Sequence, residues 1–319
     1  MVNFSRLQDW GLLLACNLMW GCQFVFLKIV QEQMGPLFAT TFPLALAILV
    51  LAPIVHFRDR PGRASESGRM CGRDFVGFLL LGILGQAVVQ LFGTWGVRLT
   101  LASNVALIFL SLPVTTAVMA YFVLGERMTK VRVVSFALAI AGVLECSGIN
   151  WRELNFTSPQ FLLANTMCFL SVLGSAFYNT YSKRLLHRYS ALQVLLYSYY
   201  AAFILMLPIT IYREPESFRN VALFHPTVWL GVFFVAFFSR FLAMAIFLRV
   251  LSRIEATIAG LSNYLIPFFG VLTAGIFLHE RLTKFMILGG ALVLASTLLM
   301  TMYEGGDQNN ERLKKDEAI

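Results

Sequence analysis

The sequence predicts an all-α integral membrane protein with ten transmembrane helices, arranged as two inverted five-helix repeats. Its 319 residues are 58% hydrophobic and only 13% charged, whereas soluble domains carry about 25% charged residues. Apolar runs of about 20 residues recur along the whole chain, and this length crosses a hydrocarbon core about 30 Å thick. An internal repeat is the third observation that predicts the fold.

The repeat is clearest between residues 102–130 and 256–284, at an offset of 154 residues. Nine of the 29 positions are identical, and both copies carry an apolar run with a proline near its middle, followed by Glu-Arg-x-Thr-Lys. Composition alone would give about one identity in ten. Self-similarity at a fixed offset indicates that the protein consists of two related halves.

The predicted spans have approximate bounds of 9–29, 37–56, 75–97, 103–124, 131–149, 160–182, 191–212, 227–248, 257–278 and 285–303. The first repeat therefore covers residues 9–149 and the second covers 160–303. Because five is an odd number, the second repeat enters the membrane in the opposite direction. Residues 304–319 form a polar tail, which we expect to be cytoplasmic.

Positive charges predict the orientation. With the N-terminus placed in the cytoplasm, 17 Lys and Arg residues lie on the inner side and seven on the outer side. The positive-inside rule therefore predicts that both termini are cytoplasmic. The net charge of +8 is explained by these connecting segments, and no basic stripe interleaved with aromatic residues predicts nucleic-acid binding.

Arg240 is the most unusual residue, because it lies about 13 residues into an apolar span. Such a charge usually faces a water-filled cavity or a partner. One interpretation is a counter-charge for a substrate carboxylate or phosphate, since a guanidinium binds either group bidentately. The alternative is an internal ion pair with Glu145 or Glu255, or an error in the predicted span bounds that would place Arg240 at the interface.

Gln86 occupies the position that corresponds to Arg240 in the first half, at the offset of 154 residues. Gln90 follows four residues later, so both amides lie on one face of the third span. Polar groups at matching depths in two repeats are typical of a transporter site at the repeat interface. The alternative is hydrogen bonding between helices, which is common in membranes.

Other polar and aromatic residues in the spans extend this hypothesis to a polar, aromatic-lined cavity. Singly, each is better explained by contacts between helices. The further candidates for substrate binding are Trp20, Gln23, Asn104, Asn179, Asn263 and Tyr264. Pro113 and Pro267 interrupt the hydrogen-bond ladder at matching positions of spans four and nine, and such breaks are typical of binding regions in transporters.

Glu126 and Glu280 end spans four and nine. A carboxylate at a helix end can serve as a gate or as a group that couples transport to an ion. We favour a structural role, in which it bonds nearby backbone groups and pairs with the basic residue that follows.

These patterns resemble the drug/metabolite transporter superfamily, specifically its EamA-domain members. The residues that carry the resemblance are Trp20, Gly21 and Lys28 in the first span, Pro113 and Glu126 in the fourth, and Pro267 and Glu280 in the ninth. The sixth span departs from the family pattern, because Phe177-Tyr178 stands where a Trp-Gly-like pair is expected. The resemblance implies a multi-pass inner-membrane carrier of small organic solutes, often an exporter of amino acids or related metabolites.

The expected function is thus secondary transport by alternating access, in the direction of export, with a small molecule and the lipid bilayer as the partners. No catalytic motif such as a Walker A loop or HExxH occurs, and neither enzyme activity nor a cofactor or metal is expected. The alternatives are a membrane-embedded enzyme and a channel. The sequence leaves open whether a proton or Na⁺ is the coupling ion and whether the protein forms a homodimer.

Overall fold

The structure is a computed structural model, and it describes residues 4–57, 72–100, 108–146, 159–277, 288–289, 291–296 and 299. Within these ranges every regular element is helical and no strand occurs. The α-helices are α1 (Phe4–Gln31), α2 (Phe38–Phe57), α3 (Gly72–Gly82), α4 (Val88–Leu99), α5 (Leu112–Leu124), α6 (Lys130–Cys146), α7 (Pro159–Leu186), α8 (Ala191–Arg213), α9 (Pro215–Arg219), α10 (Pro226–Phe233), α11 (Met244–Leu251), α12 (Ala256–Ser262) and α13 (Leu265–Phe277).

Two π-helical stretches continue these helices. Ile83–Ala87 joins α3 to α4, and Phe234–Ala243 joins α10 to α11. We call them the first and the second π-stretch. Each therefore lies inside a longer helical segment, which runs over residues 72–99 and 226–251 respectively.

Six helical segments are long and apolar enough to cross a membrane. They are Gln8–Gln31, Phe38–Phe57, Gly72–Gly96, Phe161–Leu186, Ala191–Arg213 and Pro226–Leu251. At 1.5 Å per residue, the shortest of them, with 20 residues, reaches about 30 Å, the thickness of the hydrocarbon core. The protein is thus an all-helical, multi-pass membrane protein.

Large apolar side chains point outward from these segments, as expected where lipid is the solvent. Examples with more than two thirds of the side chain exposed are Leu49, Phe57, Ile204 and Tyr212. A continuous apolar surface of this kind would promote association in water, but in a bilayer it faces the acyl chains.

The other four predicted spans coincide with shorter described helices or with residues outside the description. Residues 108–124 form a shorter apolar helical segment, α6 occupies the fifth predicted span, and α12 and α13 together occupy the ninth. Much of the tenth span and the whole 304–319 tail lie outside the described residues. The count of ten spans and their inverted arrangement therefore stay predictions.

The two sequence halves pack into one another rather than side by side. Helix α1 lies along α13 and the second π-stretch, while α7 lies along α4 and α5. Gly21 permits the closest of these approaches, because a Cβ atom there would lie 2.5 Å from the Cβ of Phe269. The inner faces of both halves consequently enclose a common interior.

Both prolines of the repeated stretch follow an interruption of their helix. Asn263 and Tyr264 separate α12 from α13, and the N–H of Ile266 bonds back three residues to the carbonyl of Asn263 at 3.1 Å. Pro267 has no N–H to donate to that carbonyl. A turn at Ser111 comes similarly just before Pro113, which stands in the first turn of α5.

Candidate functional site

Gln86 and Arg240, which correspond to one another in the two repeats, both lie in π-helical segments. Gln86 is in the first π-stretch and Arg240 in the second. A π-turn bonds each N–H to the carbonyl five residues earlier, which disturbs the regular ladder, and such turns occur frequently at functional sites. The hydroxyl of Tyr199 on α8 donates to the carbonyl of Arg240 at 2.7 Å, so a neighbouring helix supports this irregular backbone.

A cavity of about 230 Å³ lies between these two stretches. This volume is below the roughly 300–1,000 Å³ of sites for drug-sized ligands, so it suits a small metabolite. Its lining comes from helices of both sequence halves: Trp20, Gln23, Gly85, Gln86, Val89, Gln90, Leu112, Ser175, Tyr178, Asn179, Tyr199, Ser239, Arg240, Met244, Asn263 and Ile266.

The structure brings most of the candidate substrate-binding residues together around this cavity. The candidates that line it are Arg240, Gln86, Gln90, Trp20, Gln23, Asn179 and Asn263. Tyr264 is buried next to Asn263, but it is not among the lining residues. Asn104 lies outside the described residues.

Arg240 is the charged group of the described lining, and the residue is buried, with 9% of its surface exposed. One terminal nitrogen, Nη2, donates to Oε1 of Gln90 at 2.8 Å. Its Nε has no hydrogen-bond partner among the described residues. A guanidinium has five N–H donors, so this side chain keeps donor capacity that the cavity can use.

A carboxylate does not compensate this charge within the part of the chain that the structure describes. Glu255, one of the two partners considered from the sequence, instead forms an ion pair with Arg132. That alternative is therefore wrong for Glu255, because its carboxylate, just before α12, pairs with Arg132 on α6 and Glu255 is not among the lining residues. The side chain of Glu145, the other alternative, lies outside the description.

Neutral polar groups surround the remainder of the cavity. Ser239 donates a hydrogen bond to Gln23, which links the second π-stretch to α1. Asn263 stands at the interruption between α12 and α13, and its buried Oδ1 has no hydrogen-bond partner among the described residues. The described lining therefore combines one cationic donor group with an amide whose acceptor is unpaired.

Several lining residues were not candidates from the sequence. Tyr199 is the most informative, because it contacts Arg240 from a span that the sequence analysis did not assign to the site. The only signal for it is a hydroxyl-rich Tyr-Ser-Tyr-Tyr run at 197–200 within an apolar span. Tyr178, by contrast, was already noted in the sequence in the Phe177-Tyr178 pair; it lines the cavity, and its hydroxyl lies 3.3 Å from that of Ser198.

Glu126 lies in a second polar cluster, outside the cavity. Helix α5 ends at Gly125, whose φ of +73° favours glycine, and the chain then turns so that Glu126 meets the start of α12. Its Oε1 accepts from the backbone N–H of Ala256 at 2.7 Å, and its Oε2 from the N–H and the hydroxyl of Thr257 at 2.9 and 2.7 Å. These bonds satisfy two backbone N–H groups in the first turn of α12, where such groups have no partner within the helix.

Lys183, at the end of α7, completes this cluster. Its Nζ donates to Glu126 Oε1 at 3.1 Å and to the carbonyl of Ile254 at 2.6 Å. The expectation that Glu126 pairs with the basic residue following it is therefore wrong, because the turn at Gly125 directs the carboxylate toward α7 and α12. We call Glu126, Lys183, Ala256 and Thr257 the Glu126 cluster.

Charge and hydrogen bonding in the Glu126 cluster favour the ionised carboxylate. Burial by itself would raise the pKa of Glu126, but the charge of Lys183 and the hydrogen bonds from Thr257 and Ala256 outweigh it, and the pKa lies below its ordinary value. Glu280, the repeat counterpart, lies outside the described residues. Among the residues described, no group of three His, Cys, Asp or Glu side chains is placed to hold a metal ion.

An all-helical membrane architecture around an interior polar cavity is typical of membrane transport proteins. The model of the EamA-like transporter family matches residues 10–147 and 162–302. Because the match extends over most of the chain, the protein belongs to the EamA-like transporter family, within the drug/metabolite transporters that the sequence patterns resemble.

Relatives with similar sequences carry transporter names. A probable terminal-alkyne amino-acid exporter of Streptantibioticus cattleyicolor is 28% identical, covering 72% of this chain and 73% of its own. A probable amino-acid metabolite efflux pump of Salmonella typhimurium is 24% identical over 90% and 93% of the two chains. The uncharacterized transporter YetK of Bacillus subtilis is 22% identical over 86% and 81%.

A solved crystal structure has the same fold. It superimposes with a TM-score of 0.77 at 16% identity, and covers 93% of this chain and 97% of its own. At this identity the likeness concerns the fold only.

Proposed function

We propose that this protein is a secondary transporter that exports small carboxylate-bearing metabolites, the class that includes amino acids, by alternating access. The observation that carries the proposal is the cavity at Arg240, where polar residues from both sequence halves converge on a guanidinium that no described carboxylate compensates. A charge is retained inside a membrane protein chiefly where it has a functional partner, and a carboxylate fits a guanidinium bidentately.

The arrangement of the repeats supports alternating access. In this proposal ten spans form two inverted five-span halves, over residues 9–149 and 160–303, and the substrate lies between them. Two similar halves of opposite orientation can rock between two near-mirror states around a fixed site. The π-stretches at Gln86 and Arg240, one in each half, lie at the matching positions that such a site requires.

The names of the relatives support export as the direction of transport. Two of them are described as an amino-acid exporter and an amino-acid metabolite efflux pump, and we extend export to this chain. We further propose a bacterial inner membrane, which the family resemblance implies. The distribution of positive charges supports a cytoplasmic position for both termini. A reporter fused after Ile319 should be active only in the cytoplasm, and periplasmic activity would refute this orientation.

Counterflow in proteoliposomes tests the transport proposal. Vesicles are loaded with a mixed pool of amino acids and organic acids, and the compounds that leave are identified by mass spectrometry for the wild type and for Arg240→Gln. We expect one class of carboxylate compound to leave, saturably and with stimulation by external substrate, from wild-type vesicles only. Non-saturable efflux would indicate a channel, and conversion of a compound within the vesicles would indicate an enzyme.

Arg249→Gln is the matched control for this experiment. Arg249 stands nine residues after Arg240 in the same helical segment, but it is exposed and absent from the cavity lining. It therefore reports the effect of removing one arginine from this segment without altering the cavity. If a folded wild-type protein moves no member of the pool, the proposed function is wrong.

A further inference from the structure

The charge balance of the cavity narrows the substrate class further. Among the described lining residues, Arg240 is the single ionised side chain, and none is Asp or Glu. The other polar groups there are amides and hydroxyls. The empty site therefore carries one buried positive charge. The net charge of the cavity with its ligand bound then decides which ligands are favoured.

Monoanionic carboxylates and zwitterionic amino acids differ in the net charge that the cavity has after they bind. A ligand with one negative charge makes the loaded site neutral, because its carboxylate is compensated by Arg240. A zwitterionic amino acid also places its carboxylate at Arg240, but its ammonium leaves a net charge of one in the cavity. An uncompensated buried charge is expensive, so the first kind of ligand is favoured.

The unpaired acceptor of Asn263 points to the same kind of ligand. Asn263 lines the cavity, and its Oδ1, which is buried in the empty protein, has no hydrogen-bond partner among the described residues. A buried acceptor without a donor is destabilising, which favours a turn of this amide toward a ligand donor. A ligand hydroxyl or amide N–H supplies one donor without a charge. An ammonium would bring three donors and a charge to an environment whose acceptors are neutral.

The geometry points to a substrate that is an organic monoanion with a neutral hydrogen-bond donor near its carboxylate, such as a 2-hydroxy acid or an N-acylated amino acid, in preference to the free amino acid. Arg240 binds the carboxylate in this arrangement, and Asn263 accepts the neutral donor. The inference rests on the proposed function for its context, but it concerns binding and can be tested without transport.

Matched pairs of ligands separate the two classes. We would use lactate and alanine, 2-hydroxyisocaproate and leucine, and 3-phenyllactate and phenylalanine, because the members of each pair differ only in the hydroxyl or ammonium group. Each is added to the purified full-length protein, and Kd is obtained from the concentration dependence of thermal stabilisation. In the pair that binds best, we expect the hydroxy acid to bind at least about tenfold more tightly, a difference of about 1.4 kcal/mol.

Two variants and one control test whether the preference for the hydroxy acid depends on the charge of the cavity. Arg240→Gln should remove binding of the hydroxy acid, whereas Arg249→Gln should leave it unchanged. Asn263→Asp adds a negative charge to the lining at constant shape, and it should lower the preference for the hydroxy acid at least about tenfold. If Asn263→Asp left the preference unchanged, the charge-balance argument would be wrong.

The outcomes separate this inference from the proposed function. Equal or tighter binding of the amino acid in the best pair would overturn the inference, even if the amino acid is then exported. Tighter binding of the hydroxy acid without counterflow in proteoliposomes would support the inference and refute transport. If no member of any pair stabilises the protein, the inference is overturned.

Discussion

Glu126 and Arg240 are both buried charged residues, but their surroundings are opposite. The side chain of Glu126 is 7% exposed, and it has an ion pair with Lys183 together with hydrogen bonds from two backbone N–H groups and one hydroxyl. Arg240 is 9% exposed, and the described residues offer it an amide oxygen but no carboxylate. The protein thus satisfies one buried charge fully and leaves the other partly open.

This difference shows how a structural charge can be told from a functional one. A charge whose partners are all supplied by the protein stabilises the fold in which those partners meet, and its loss destabilises that fold. A buried charge with open donors lowers the stability of the empty protein and is compensated by a ligand. The predictions below test this distinction, from the largest expected effect to the smallest.

The largest effect is expected when the ion pair of the Glu126 cluster is broken. Glu126→Gln leaves the partly buried ammonium of Lys183 without its counter-charge, and it should lower the free energy of unfolding by about 3–5 kcal/mol. Thermal or denaturant unfolding in detergent measures this loss. The double variant Glu126→Gln/Lys183→Met should recover part of it, because the orphan charge is removed as well. A loss below about 1 kcal/mol would contradict the structural role.

Arg240→Gln should affect transport strongly and stability little, the reverse of Glu126→Gln. We expect the free energy of unfolding to stay unchanged or to rise, because an incompletely compensated buried charge is exchanged for a neutral amide. Transport should fall about 100-fold, since a charge-assisted hydrogen bond to a carboxylate contributes up to about 3 kcal/mol. Unfolding and counterflow are measured on the same preparation. Severe destabilisation with unchanged residual transport would assign Arg240 a structural role.

The pH dependence of stability tests the structural role of Glu126. The folded-state pKa of Glu126 is lowered below its ordinary value of 4.5, so its stabilising contribution is complete above that value. The contribution is lost as the pH falls through the folded-state pKa. The difference in melting temperature between wild type and Glu126→Gln should therefore be constant near neutral pH and shrink below about pH 4.5. A difference that grows on acidification would contradict the assignment.

Tyr199→Phe should have the smallest effect. It removes the hydroxyl that donates to the carbonyl of Arg240, while the ring remains packed, so the expected loss of stability is about 1 kcal/mol. Transport should decline severalfold less than in Arg240→Gln, because the guanidinium is retained. Tyr200→Phe is the control, since Tyr200 is a neighbouring tyrosine on the same helix and does not line the cavity. Equal effects of both variants would indicate that Tyr199 does not support the π-stretch.

Much of the candidate site could be predicted because burial of a polar group in an apolar run is a local property. Arg240, Gln86 and Gln90 were identified on that ground, and all three line the cavity. Tyr199 was not identified, because a tyrosine in a membrane span is common and its hydroxyl becomes informative only when its partner is known. The partner is a carbonyl 41 residues away, which no local pattern encodes.

The sequence by itself determined that this is a helical membrane protein, predicted two related halves, and identified Arg240 as an unusual charge within an apolar span. These properties depend on hydropathy and on an internal offset, both of which are read along one chain. The tertiary structure decided which charge meets which partner, as in the ion pair between Glu126 and Lys183, 57 residues apart. Pairing between helices depends on their relative rotation and depth, and these are set by packing over the whole interior rather than by any single segment.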